Sequence, residues 1–153
     1  MSSRSAIGVR TVMTYSPAMP DERNASGGGR IAVVDASNVA NSAPSAVARL
    51  DYLAVLIARL EEEGLAPVVV ADAGLVHRID DRGGYLRMVE QGRIRVAPPG
   101  EEADALILAL AREHDAVVVS NDRFREWAER YPDEVRRRVG FRIRNGSAEL
   151  GRR

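Results

Sequence analysis

The chain has 153 residues, 45% of them apolar and 29% charged, the balance of one soluble folded domain with a short tail rather than of two full α/β domains. It has no cysteine and only two histidines, His77 and His114, which excludes disulfides, thiolate zinc sites, iron–sulfur clusters and a histidine-rich metal site; any bound metal must take oxygen ligands, as magnesium and manganese do. The net charge is zero but uneven: residues 1–30 carry four Arg against two acids (+2), residues 31–119 eight against fourteen (−6) and residues 120–153 ten against six (+4).

All 22 basic residues are Arg, so a Schiff base, a phosphate-binding P-loop lysine and a lysine general base are excluded. No run of 18 apolar residues is present, and Ala6-Ile7-Gly8-Val9 is followed at once by Arg10, so neither a membrane span nor a signal-peptide core is expected. The expected location is the cytoplasm.

Residues 1–29 are rich in Ser, Gly, Pro and charge and read as a mobile tail. Residues 30–153 read as a single domain. Ile31-Ala32-Val33-Val34 is a strand buried on both faces, ending at Asp35. A polar loop to Ser45 follows, then a helix with Val47, Leu50, Leu53, Ile57 and Leu60 at helical spacing, stopped by Gly64. Pro67–Ala71 is a second buried strand, ending at Asp72. A shorter helix ends near Gln91, Ile94–Val96 is a third strand, and Glu101–His114 a helix. Ala116–Val119 is a fourth strand. Asn121 or Asp122 caps a helix containing Phe124, Trp127 and Ala128. Phe141–Arg144 is a fifth strand, turned by Asn145-Gly146 into a hairpin with Ser147–Leu150. Alternating strands and helices predict an α/β fold: a mostly parallel sheet of about five strands, helices on both faces and a C-terminal hairpin.

Asp35 and Asp72 end strands, Asp122 lies just past the fourth strand, and Asp104 opens the helix after the third. Right-handed crossovers bring these four positions to one edge of the sheet, where ligands bind in such folds. Each acid alone has a plain structural use, as a cap or a turn former. Together, with no lysine to neutralise them, they call for a divalent cation. Other readings of this architecture are missing their signatures. No glycine-rich turn follows the first strand, no P-loop is present, no lysine follows the last strand as in a receiver domain, and position 37 is Ser where a haloacid-dehalogenase-type phosphatase needs Asp.

The segments Val33-Val34-Asp35-Ala36-Ser37-Asn38-Val39-Ala40 and Val117-Val118-Val119-Ser120-Asn121-Asp122-Arg123-Phe124-Arg125-Glu126 resemble the two signature segments of the NYN branch of PIN-like ribonucleases, in particular the Regnase-type catalytic domain. The likeness covers about residues 30–150 and includes the terminal hairpin. It implies a PIN-like three-layer fold and a magnesium-dependent endoribonuclease, with manganese as an alternative ion. By that resemblance Asp35, Asp104 and Asp122 are metal-coordinating acids, Asn38 orients an acid or a metal-bound water, and Glu126 stands where the family often has a further acid. Two departures stand out: position 103 is Ala where the best-known members carry a paired second Asp, and the zinc finger is missing. The first implies lower activity, the second weak or borrowed RNA affinity.

Arg123 and Arg125 beside Asp122, and the run Arg136-Arg137-Arg138, are the candidate phosphate contacts. The expected substrate is RNA in single strands or loops. A homodimer, and a protein partner that delivers RNA, stay open. Two alternatives stand beside the nuclease reading: a PIN-type toxin of a toxin–antitoxin pair, and a catalytically inactive RNA-binding module of the same fold, which Ala103 favours.

Overall fold

Four short apolar runs pair in parallel to form the central sheet. They are β1 (Ile31–Asp35), β2 (Ala66–Ala71), β3 (Ile94–Val96) and β4 (Val117–Val119), in the spatial order β3-β2-β1-β4. The computed structural model describes residues 30–151; the tail expected over residues 1–29 lies outside the described residues. The sheet has four strands, not the five expected. Phe141–Arg144 (β5) pairs only with Ser147–Leu150 (β6), as a separate antiparallel hairpin. A lone parallel bridge between Val119 and Val139 brings the chain past β4 just before that hairpin.

Strands covered on both sides must be apolar at successive positions, and their side chains must alternate between two cores. That is what the sequence supplies. Ala32, Val34, Val69, Ala71 and Val119 face one core, closed by α2 (Leu50–Glu62), α3 (Arg82–Glu90) and the β5–β6 hairpin. Val33, Val68, Val70 and Val118 face the other, closed by α4 (Ala103–His114) and flanked by α5 (Pro132–Arg136). Leu53, Leu56 and Leu60 are fully buried on α2, each contributing about 1.5–3 kcal/mol relative to exposure. Gly64 leaves α2 at φ 81, a left-handed stop that a side chain would oppose.

Three local expectations change. The loop after Asp35 begins with a short helix, α1 (Ala36–Ala40), because the Asp35 carboxylate caps it. Val47 stays outside α2 and is 46% exposed. The helix expected after Asp122 is only a 3₁₀ turn, Arg125–Trp127, followed by α5, which begins at Pro132. Phe124 is the reason: it stands at φ 50, which a helix cannot contain.

Candidate active site

The strand order reverses between β1 and β4, since β2 lies on one side of β1 and β4 on the other. Both strands end here at the same edge, and their loops are tied to each other through side chains. Asp35 closes β1 and caps α1, its Oδ1 accepting from the Asn38 N–H at 3.3 Å. Its Oδ2 accepts from the Ser120 hydroxyl at 2.9 Å. The same Ser120 oxygen accepts from the Asp122 N–H at 3.1 Å. The Asn38 side-chain oxygen accepts from the Asn121 N–H at 2.8 Å. Asp35 is 6% exposed and Ser120 fully buried, so the bond between them holds without competition from water.

The loop after β4 is also held from behind. The Asn121 side chain accepts from the Phe141 N–H at 2.9 Å and donates to the Phe141 carbonyl at 3.0 Å. Arg138 donates to the Ser120 carbonyl at 2.8 Å. Asp122 Oδ1 accepts from the Phe124 N–H at 2.7 Å, which folds Asp122-Arg123-Phe124 into a tight turn. A bulky residue at φ 50 stores about 1–3 kcal/mol of strain, and burial of the Phe124 ring, 2% exposed, offsets it.

One open depression of about 390 Å³ gathers Asp35, Asn38, Asp72, Glu102, Asp104 and Asp122, together with Ala103. No basic side chain lines it. The depression of about 300 Å³ around Leu65, Pro67, Gly92 and Arg93 gathers no such set of acids. Burial raises Asp104, and the charges of Asp35, Asp122, Glu102 and Glu126 add to it, pushing its carboxyl up to about 6. Burial likewise raises Asp35; the Ser120 and Asn38 hydrogen bonds partly oppose this, and Asp122 and Asp72 reinforce it. Asp72 goes the other way. Burial would raise it, but the Ser37 hydroxyl, the Arg78 guanidinium and the Gly74 N–H outweigh that and hold it below the usual carboxylate range.

The structure thus brings together Asp35, Asn38, Asp104 and Asp122. Glu126 lines a neighbouring depression with Trp127 and Arg130, although its charge reaches Asp104. Arg123 and Arg125 are exposed beside Asp122. The arginine run is not one patch. Arg136 pairs with Asp133 at 2.7 Å, Arg137 with Asp115 at 3.1 Å, and Arg138 braces the loop after β4. Ser120, Asn121 and Ser37 organise the site, whereas the sequence offers Asn121 only as a helix cap and Ser37 and Ser120 only as members of the two signature segments. The available signal was their placement: small polar residues directly after buried apolar strands must satisfy the strand ends.

Every candidate metal donor here is an oxygen, which suits a hard cation and no soft one. Among the described residues, no three acidic or histidine side chains are drawn together tightly enough to chelate an ion on their own. Magnesium does not demand that, because it keeps several waters and takes one or two carboxylates. The upward displacement of Asp104 and Asp35 marks a place where negative charge lacks a partner, so the residues fit such an ion.

Comparison with known proteins bears on the family and the fold. The family profile described as the Zc3h12a-like ribonuclease NYN domain matches residues 28–148. No curated protein matches the sequence. Two solved structures of the nuclear protein-only RNase P 2 (PRORP2) from Arabidopsis thaliana share the fold. One has a TM-score of 0.59 at 19% identity over 81% of this chain, the other 0.63 at 20% identity over 82%. This chain spans 30% of the length of each. The chain belongs to the Zc3h12a-like ribonuclease NYN family.

Proposed function

We propose that this NYN-family ribonuclease domain is a metal-dependent endoribonuclease that hydrolyses RNA phosphodiester bonds at the Asp35–Asp104–Asp122 depression. The observation that carries this reading is the convergence of those acids, without a basic lining residue, at the point where the strand order reverses. Asp35, Asp104 and Asp122 would hold magnesium or manganese, with Glu126 at the margin. Such an ion supplies an activated water and steadies charge on the phosphate oxygens.

The remaining work falls to the protein's own groups. Ser120 and the Asn38 N–H fix both oxygens of Asp35, so its orientation does not depend on the substrate. The Asn38 side chain holds the loop that carries Asp122. Arg123 and Arg125, exposed next to Asp122 in the chain, would meet phosphates beside the cleaved bond, with the arginines at 136–138 as further contacts. Attack of a water on the phosphorus in line with the 3′-oxygen would form the new P–O bond and break the P–O3′ bond, the water's protons passing to solvent and a solvent proton to the departing oxygen, which leaves a 5′-phosphate and a 3′-hydroxyl. Single strands and loops are the proposed substrates. Residues 30–153 are the proposed working unit, and removal of residues 1–28 is expected to leave cleavage unchanged. Among the described residues no helix is long and apolar enough to cross a membrane, and the proposed place of action is the cytoplasm.

Ala103, which lines the depression, favours a second reading, an RNA-binding module without catalysis. One assay decides between them. Structured and unstructured RNAs are incubated with the protein in magnesium and in EDTA, with Asp35→Asn as control. Cleavage that needs magnesium and Asp35 supports the nuclease; binding without cleavage supports the module.

A further inference from the structure

We propose that Arg78, held on Asp72 at the rim of the acid depression, binds a backbone phosphate of the RNA, and that Asp72 serves this arginine instead of a metal ion. The inference rests on the ribonuclease reading above and adds a substrate contact to the same site.

Asp72 follows β2 much as Asp35 ends β1, and both line the depression. Their surroundings differ in kind. Asp72 Oδ2 accepts from the Ser37 hydroxyl at 2.6 Å and faces Arg78 Nη2 at 3.2 Å. Its Oδ1 accepts from the Gly74 N–H at 2.9 Å and from Arg78 Nη2 at 3.4 Å. Both oxygens are occupied by donors, one of them cationic. A metal ion entering here would have to displace or oppose a guanidinium.

Arg78 is placed, not merely nearby. Its Nη1 occupies the space above Gly74, where an added Cβ would come within 2.8 Å of it. Gly74 has φ −86 and ψ −13, a backbone conformation open to any residue, so its own fold does not require glycine. An added Cβ would meet only the far end of this flexible side chain, which can shift, so the Asp72 carboxylate is what holds the guanidinium. All protein hydrogen bonds of Arg78 among the described residues run from Nη2, leaving Nε and Nη1 without one. The side chain is 47% exposed. Ser37 joins Asp72 to α1, the helix that Asp35 caps, so the arginine is fixed relative to the acid centre.

The chemistry that needs such a group is the approach of a phosphodiester to a depression lined by acids and by no base. A cation held at its rim, with N–H groups left over, offers an anion a charge-assisted contact. A strand that reaches Asp35 and Asp104 would place an adjacent phosphate there.

The test uses the full chain and a labelled single-stranded RNA, with binding measured in EDTA over a range of salt and cleavage measured over a range of magnesium. Arg78→Gln is expected to weaken binding about tenfold, the loss of one charge-assisted contact. It should also lower the salt slope by about 0.7, one phosphate fewer. Arg78→Lys should restore much of the slope. The magnesium midpoint should stay at the wild-type value in Arg78→Gln and in Asp72→Asn. Wild-type affinity and slope in Arg78→Gln would overturn the proposal. So would an Asp72→Asn magnesium midpoint that moves while that of Arg78→Gln does not, since Asp72 would then be a metal ligand. A wild-type protein that binds RNA without cutting it would sink the nuclease reading alone, and the binding measurements would still decide the arginine.

Discussion

Asp35 and Asp72 occupy matching places, at or just past the carboxyl ends of two adjacent parallel strands, yet they live in opposite electrostatic states. Asp35 is buried, held only by neutral donors and repelled by other acids, so its charged form is disfavoured. Asp72 keeps its charge with the help of Arg78. The fold decides that a carboxylate stands at a strand end; the neighbours decide whether it is a seat for a cation or a holder for an arginine.

One substitution made at both positions tests that contrast. Asp35→Asn should reduce cleavage by roughly a thousandfold, given that a metal site contributes several kcal/mol to transition-state stabilisation. In EDTA it should melt at a higher temperature than wild type, because a repelled buried charge has gone. Asp72→Asn should lower the melting temperature, because an attraction has gone. The effect is modest, about 1 kcal/mol or less, since Arg78 is half exposed. Melting temperatures of the same sign in the two variants would break the comparison.

Ser120→Ala comes next in size. It leaves Asp35 Oδ2 and the Asp122 N–H without their shared partner in a buried place, a loss of about 1–3 kcal/mol by urea unfolding. Cleavage should fall with it.

Titration separates the acids further. Asp104 has a folded-state pKa of about 6, above the ordinary 3.8, so the folded state binds the proton more tightly than the unfolded state. The metal-free protein should therefore lose stability as pH rises from about 4 to about 6 on this account, and Asp104→Asn should flatten that decline. Asp35 acts in the same sense and Asp72 in the opposite one, stabilising above its ordinary value and losing that contribution as pH falls below it. Melting curves in EDTA across this range, for wild type and Asp104→Asn, give the sign directly. The smallest effect belongs to Arg136→Gln. Its pair with Asp133 is exposed on both sides, and stability should stay within about 0.5 kcal/mol of wild type.

The strands and the principal helices were legible because a sheet covered on both faces needs uninterrupted apolar runs, and Ile31–Val34, Val68–Ala71 and Val117–Val119 are such runs. The acids that converge were legible for a related reason: a polar residue that ends such a run must lie at the sheet edge. What sequence periodicity does not carry is side-chain pairing across loops. Nothing local shows that Asn38 would reach Asn121, 83 positions away, or that Ser37 would reach Asp72. Phe124 misled for a backbone reason. Its apolar spacing with Trp127 and Ala128 fits a helix, but the turn imposed by Asp122 fixes it at φ 50. The apolar pattern of Phe141–Arg144 does not say which edge it pairs with, and β6 rather than the central sheet takes that pairing.

Asn121 has a mechanical consequence. Its amide forms with Phe141 the donor-and-acceptor pair that a neighbouring strand residue would offer, so a side chain stands in for a rung of the ladder that the sheet lacks. Its own main-chain N–H is meanwhile tied to Asn38. The hairpin and the loop carrying Asp122 therefore cannot loosen independently. Fraying of the hairpin propagates to the carboxylates, and the amide protons of Asn121 and Phe141 should exchange with solvent in a single shared opening event.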